Sequence, residues 1–177
     1  MRSNLPSRFA LATIALGLIV SWTSRAEAGK TQLGFDLDWA SADQGADTAS
    51  GFGGGLRLGY QIDAALVSVI PEIGGNYYSF SDLDTSVVRG IVGGRLRFLK
   101  ILEPGLYAHF GVGHADSDRP LFPAWTAATA DGGISLDLTI LPVFEFGGHA
   151  GYTVMWGEGE REALTWWNAG LQAAVVF

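Results

Sequence analysis

The chain has 177 residues, 48% of them hydrophobic and 12% aromatic, with 25 glycines and no cysteine. Eleven basic against eighteen acidic residues give a net charge of −7, which leaves no electrostatic case for nucleic-acid binding. Without cysteine, disulfides and thiolate-bound metals are excluded.

Residues 1–28 read as a cleavable signal peptide rather than as structure. Arg2 and Arg8 form a basic start, residues 9–20 a compact apolar run, and Ala26-Glu27-Ala28 a small-x-small cleavage site. The run of 12 residues falls short of the roughly 20 that a membrane helix needs, and Arg25 and Glu27 follow it closely. Cleavage there leaves residues 29–177 as one domain of 149 residues and net charge −9. No later stretch is long and apolar enough for a membrane helix, so the apolar content must be spread over many short segments.

Beyond residue 28 the recurring signal is period-two alternation, the mark of strands with two unlike faces. In 33–39, Leu33, Phe35, Leu37 and Trp39 alternate with Gly34, Asp36 and Asp38. In 52–63, Leu56, Leu58, Tyr60 and Ile62 oppose Arg57, Gly59, Gln61 and Asp63. The segment 66–78 is less regular: Val67, Val69, Ile73 and Tyr77 oppose Ser68, Glu72 and Asn76, Ile70 intrudes, and Pro71 suggests a bulge. Residues 87–99 set Val88, Val92, Leu96 and Phe98 against Arg89, Arg95 and Arg97. Residues 104–113 set Leu106 and Phe110 against Tyr107 and His109, and 132–140 set Ile134, Leu136 and Leu138 against Ser135, Asp137 and Thr139. Residues 143–155 set Phe144, Phe146 and Tyr152 against Glu145, His149 and Thr153. The last segment, 167–177, sets Trp167, Leu171, Val175 and Phe177 against Asn168 and Gln172.

Eight segments alternate in this way, and the composition of their faces sets which is inside. A soluble sandwich or lipocalin-like barrel points its apolar face inward. Here the polar faces are rich in glycine and carry isolated charges of both signs, which suits a crowded interior. Bulky aliphatics with aromatics near the edges suit a lipid-facing wall. The joins alternate as well: 63–65, 99–103 and 141–142 are short, whereas 41–50, 79–86, 115–130 and 157–163 are longer and polar. Short periplasmic turns and long external loops show that rhythm. The expected fold is all-β, an eight-stranded antiparallel up-and-down transmembrane β-barrel.

The export signal, the eight segments and the ending Trp167-Asn168-Ala169-Gly170-Leu171…Val175-Val176-Phe177 resemble the small bacterial outer-membrane β-barrel families, typified by the transmembrane domain of outer-membrane protein A. The resemblance is one of architecture over residues 29–177. It implies the outer membrane of a Gram-negative bacterium as location, with outer-membrane lipid and lipopolysaccharide as surroundings. It also implies that Trp167, Leu171, Val175 and Phe177 form the signal read by the barrel assembly machinery.

The candidate site is the interior polar set: Asp36, Asp38, Arg57, Glu72, Arg89, Arg95, Arg97, His109, Asp137, Glu145 and His149. An eight-stranded barrel has an interior just wide enough for side chains, and isolated charges there must pair. The set serves either as a structural network sealing the lumen or as the lining of a narrow path for ions or small solutes. Strand direction brings Asp36, Arg57, Glu72, Arg95, Asp137 and His149 near mid-depth. His114 precedes Asp116 and Asp118, ligand types for a metal, but one short loop seldom completes a site. With Ser117 nearby, an outer-leaflet lipid hydrolase is a third reading, without a defensible triad spacing. The acidic loop residues Asp43, Asp47, Asp82, Asp84, Asp116, Asp118, Glu158, Glu160 and Glu162 suit solvation, or divalent cations shared with lipopolysaccharide. Leu121, Phe122, Pro123 and Trp125 form an apolar loop cluster, either exposed or folded over the mouth. Gly53-Gly54-Gly55 lacks the Lys-Ser/Thr and the helix of a phosphate loop. No cofactor is expected, and the surface partner is unassigned.

Overall fold

The computed structural model describes residues 29–44, 47–117, 124–157 and 162–177; the expected signal peptide lies outside them. Eight strands follow in chain order: β1 (Lys30–Gln44), β2 (Asp47–Ala64), β3 (Val67–Phe80), β4 (Thr85–Phe98), β5 (Leu102–Ser117), β6 (Trp125–Leu141), β7 (Phe144–Met155) and β8 (Leu164–Val176). Each pairs with the next and β8 returns antiparallel to β1, so the sheet closes and leaves no edge to template aggregation. Thr31 and Phe177 exchange backbone hydrogen bonds of 2.9 and 2.8 Å and fasten the seam at the end where β1 begins and β8 finishes, the terminal end. The opposite end is the loop end.

Turns at the terminal end are short, at 65–66, 99–101 and 142–143. Ala65 (φ 57°) and Leu99 (φ 71°) take the left-handed backbone that such tight hairpins demand, although neither is glycine. At the loop end the strands run further than alternation in the sequence predicts. The expected loop 41–50 is instead two paired arms, with Ser41 opposite Ser50 and Asp43 opposite Thr48. The stretch 79–86 shrinks to one 3-10 turn at Ser81–Leu83, closed by Asp84 with φ 46°. Most of 115–130 is the end of β5 and the start of β6.

Pro71 makes no bulge. The β3–β4 register runs unbroken through Pro71 opposite Gly94. On the β2 side Tyr60 and Gln61 drop out of the ladder, yet the register is the same before and after them. The missing proline donor therefore costs local pairing and not a residue of slip. Ile70 follows the same phase and is fully buried in the lumen. Among the described residues a register shift lies between Leu138 and Leu141 of β6, against β7.

Phe35, Leu58, Phe98 and Leu171 point outward and are exposed, while Arg57, Arg95 and Arg97 point inward. Outward aromatics gather at two heights, Trp39, Phe52, Tyr77, Tyr152 and Trp167 toward the loop end and Tyr60, Phe98, Phe144 and Phe177 toward the terminal end. An oily belt between two aromatic girdles is the profile of a wall solvated by lipid.

Candidate functional site in the barrel lumen

Inward side chains come from every strand, and they stack in layers along the axis. Nearest the terminal end, Arg97 of β4 bonds Glu145 of β7 at 2.5 Å and lies 3.1 Å from Asp137 and 3.7 Å from Glu103. Thr139 donates to the other oxygen of Glu103 at 3.0 Å.

The middle layer joins β1, β2, β3, β4, β6 and β8. Arg57 donates to Asp36 at 2.7 Å and to the Gln172 carbonyl at 3.1 Å, and stands 3.6 Å from Glu72. Arg95 donates to the same Gln172 oxygen at 2.9 Å, with Asp137 at 3.5 Å and Glu72 at 3.6 Å. The Gln172 amide nitrogen in turn donates to Asp137. One neutral amide thus ties two guanidinium groups and a carboxylate together. Glu72, 4% exposed, is shared by both arginines and by His109. Arg95 also lies over the Tyr107 ring, 5.6 Å from its centroid.

Above it, His109 stands between two carboxylates, with Nδ1 2.9 Å from Asp131 and Nε2 3.0 Å from Glu72. Each ring nitrogen of His109 thus faces a carboxylate oxygen. Arg89 bonds Asp131 as well, and His149 lies 2.7 Å from Asp38, which also accepts from the Tyr78 hydroxyl at 2.9 Å. The layers leave little space: voids of about 10 Å³ around Arg57, Glu72 and Asp137 and about 30 Å³ around His109 and Asp131. About 10–15 Å³ holds a single water.

At the loop end the filling changes character. Tyr78, Phe80, Val87, Trp125, Met155, Leu164 and Trp166 form a buried apolar cluster, lined by Ala40, Ala42, Ala49 and Ala115. The Tyr78 and Phe80 rings pack on Trp166 at centroid distances of 5.5 and 5.9 Å. Arg89 lies 5.5 Å from the Trp166 ring centroid and marks the boundary between the ionic layers and this plug.

The structure thus gathers Asp36, Asp38, Arg57, Glu72, Arg89, Arg95, Arg97, His109, Asp137, Glu145 and His149 into one lumen, with His149 at the Asp38 level rather than mid-depth. Sequence reasoning missed Asp131 and Glu103 because the expected segments began at 132 and 104. Running the inward phase back from Gly133 and Gly105 would have found both. Trp125, expected in a loop cluster, is 8% exposed in β6 and belongs to the plug; Leu121, Phe122 and Pro123 lie outside the described residues, as do Asp118, Glu158 and Glu160. His114 and Asp116 face outward on β5, His114 contacting Thr126 at 2.9 Å, whereas Ser117 falls on the inward phase of the strand. That separation leaves no hydrolytic dyad of Ser117 and His114. Among the described residues no group of three His, Cys, Asp or Glu side chains is arranged to hold a metal ion. Trp167, Leu171 and Phe177 lie exposed on the outer wall, and Val175 is half-buried.

Closed meander, lipid-facing belt and ionic lumen together define a transmembrane β-barrel. No family model and no curated protein matches the sequence. Solved structures do match. The chain superposes on Neisserial surface protein A with a TM-score of 0.69 at 13% identity, covering 85% of this chain and 100% of that one. On Ail, the attachment invasion locus protein of Yersinia pestis, the TM-score is 0.51 at 18% identity, again over 85% and 100% of the chains. At such identities the likeness carries the fold, and the fold is that of the small outer-membrane β-barrels, as the resemblance in the sequence implied.

Proposed function

We propose that this barrel is a structural protein of the outer membrane, sealed along its axis, that presents its loop end at the cell surface. The observation that carries this reading is the double filling of the lumen. A path along the axis would have to cross three ionic layers and then an apolar plug. Breaking a buried pair costs about 3–5 kcal/mol, so thermal fluctuation rarely opens one layer, let alone all of them. The loop-end extension, polar outside and apolar within, is a rigid pedestal for surface loops.

Planar-bilayer recording of the purified barrel tests the reading. The expected record is a flat baseline. Discrete conductance steps that Arg95→Ala or Glu72→Ala abolishes would overturn it in favour of a narrow channel.

A further inference from the structure

Below the Arg97 layer the lumen widens at the terminal end into a vestibule of about 170 Å³, lined by residues of seven strands and by the turn residues Leu99, Lys100 and Pro142. A cavity of about 150 Å³ admits benzene, so the vestibule accepts a molecule on the order of six heavy atoms. We propose that it binds a small molecule carrying a primary ammonium a few bonds from an anionic group, the chemistry of an α-amino acid or of an ethanolamine phosphate headgroup.

Two buried acceptors call for the ammonium. Gln61 and Glu103, 8% and 4% exposed, each hold one side-chain oxygen without a hydrogen-bond partner. Their other polar atoms are engaged: the Gln61 nitrogen donates to Asp63 at 2.8 Å, and the second Glu103 oxygen accepts from Thr139. That Glu103 oxygen has only a long ion-pair contact of 3.7 Å to Arg97, whose guanidinium also serves Glu145 and Asp137. An ammonium brings three donors in a compact charge and satisfies such oxygens better than any neutral group. Lys30 and Lys100, both exposed, line the same vestibule and suit the anionic end. The mixed lining also selects against simple ions: a bare cation meets the lysines, and a bare anion meets Asp63, Glu103 and Glu145.

Isotope-labelled full-length barrel in lipid nanodiscs is titrated with alanine, glycerophosphoethanolamine, methylammonium and acetate, following the NMR signals of Lys100, Thr139 and the Gln61 amide. Alanine or glycerophosphoethanolamine should saturate these shifts at concentrations about tenfold or more below the single-charge compounds, and whichever binds names the source as amino acid or lipid headgroup. Glu103→Gln and Lys100→Ala should each weaken binding by about tenfold. Because Glu103→Gln also strips a partner from Arg97, Lys100→Ala, in an exposed turn, is the deciding variant. Equal binding of methylammonium or acetate, no saturable binding, or full affinity in Lys100→Ala overturns the proposal.

Discussion

Between the two aromatic girdles the wall turns oily side chains outward and ionised ones inward; beyond the loop-end girdle the same strands do the reverse. On β2, Leu56 and Leu58 face lipid and Arg57 faces the lumen, whereas eight to ten residues earlier Thr48 and Ser50 face out and Ala49 is fully buried. On β3 the outward series passes from Ile73 and Tyr77 to Ser79, while the inward one passes from Glu72 to Tyr78 and Phe80. Along β2 and β3 the strand phase does not change; the solvent does. Hydrocarbon outside allows a polar lumen, because nothing polar competes for the outer face. Water outside restores the ordinary rule, and the barrel above the membrane packs like a small soluble β-protein.

Removing a group from each filling is the strongest test of that contrast. Glu72→Ala removes the carboxylate that Arg57, Arg95 and His109 share, leaving Asp36, Asp137 and Asp131 as their remaining partners, and should cost about 3–5 kcal/mol in urea unfolding from lipid vesicles. A loss under about 1 kcal/mol would show that water screens the middle layer. Trp166→Ala should cost a similar 3–5 kcal/mol by leaving a cavity in the plug. Its neighbour Trp167, on the opposite face and 62% exposed, packs 4.8 Å from Tyr152. Trp167→Ala should lose only about 0.5–1.5 kcal/mol, since lipid fills the space. Equal losses for the two tryptophans would erase the distinction between plug and belt.

Charge placed on the wall locates the boundary between the regions. Leu56→Arg, midway between the girdles, should destabilise by about 2–4 kcal/mol, while Thr48→Arg on the same strand should stay within about 0.5 kcal/mol. The smallest expected effect is at the terminal end. Ala65→Gly relieves a left-handed residue and should stabilise the barrel by about 0.5–1 kcal/mol, seen as a raised urea midpoint.

The same contrast explains what was hard to read in the chain. Membrane segments such as 87–99 alternate between large apolar and charged residues, so their phase is plain. In 40–43 the inward residues are Ala40 and Ala42, and the outward ones are Ser41 and Asp43, which looks like a polar loop. Those alanines are small because Trp166, Phe80 and Tyr78 fill the space they leave. The counterpart that gives them meaning lies up to 126 residues away, beyond any local window.

Strand number, strand phase and which face meets lipid follow from the chain alone, because period-two alternation is a local property and hydrocarbon rejects charge on one whole face. Only the closed barrel decides that Gln172 bridges Arg57, Arg95 and Asp137, that Asp131 and Glu103 complete the ionic layers, and that an apolar plug stands above them. Those partners meet across the lumen from strands on opposite sides, at heights set by the tilt and register of all eight.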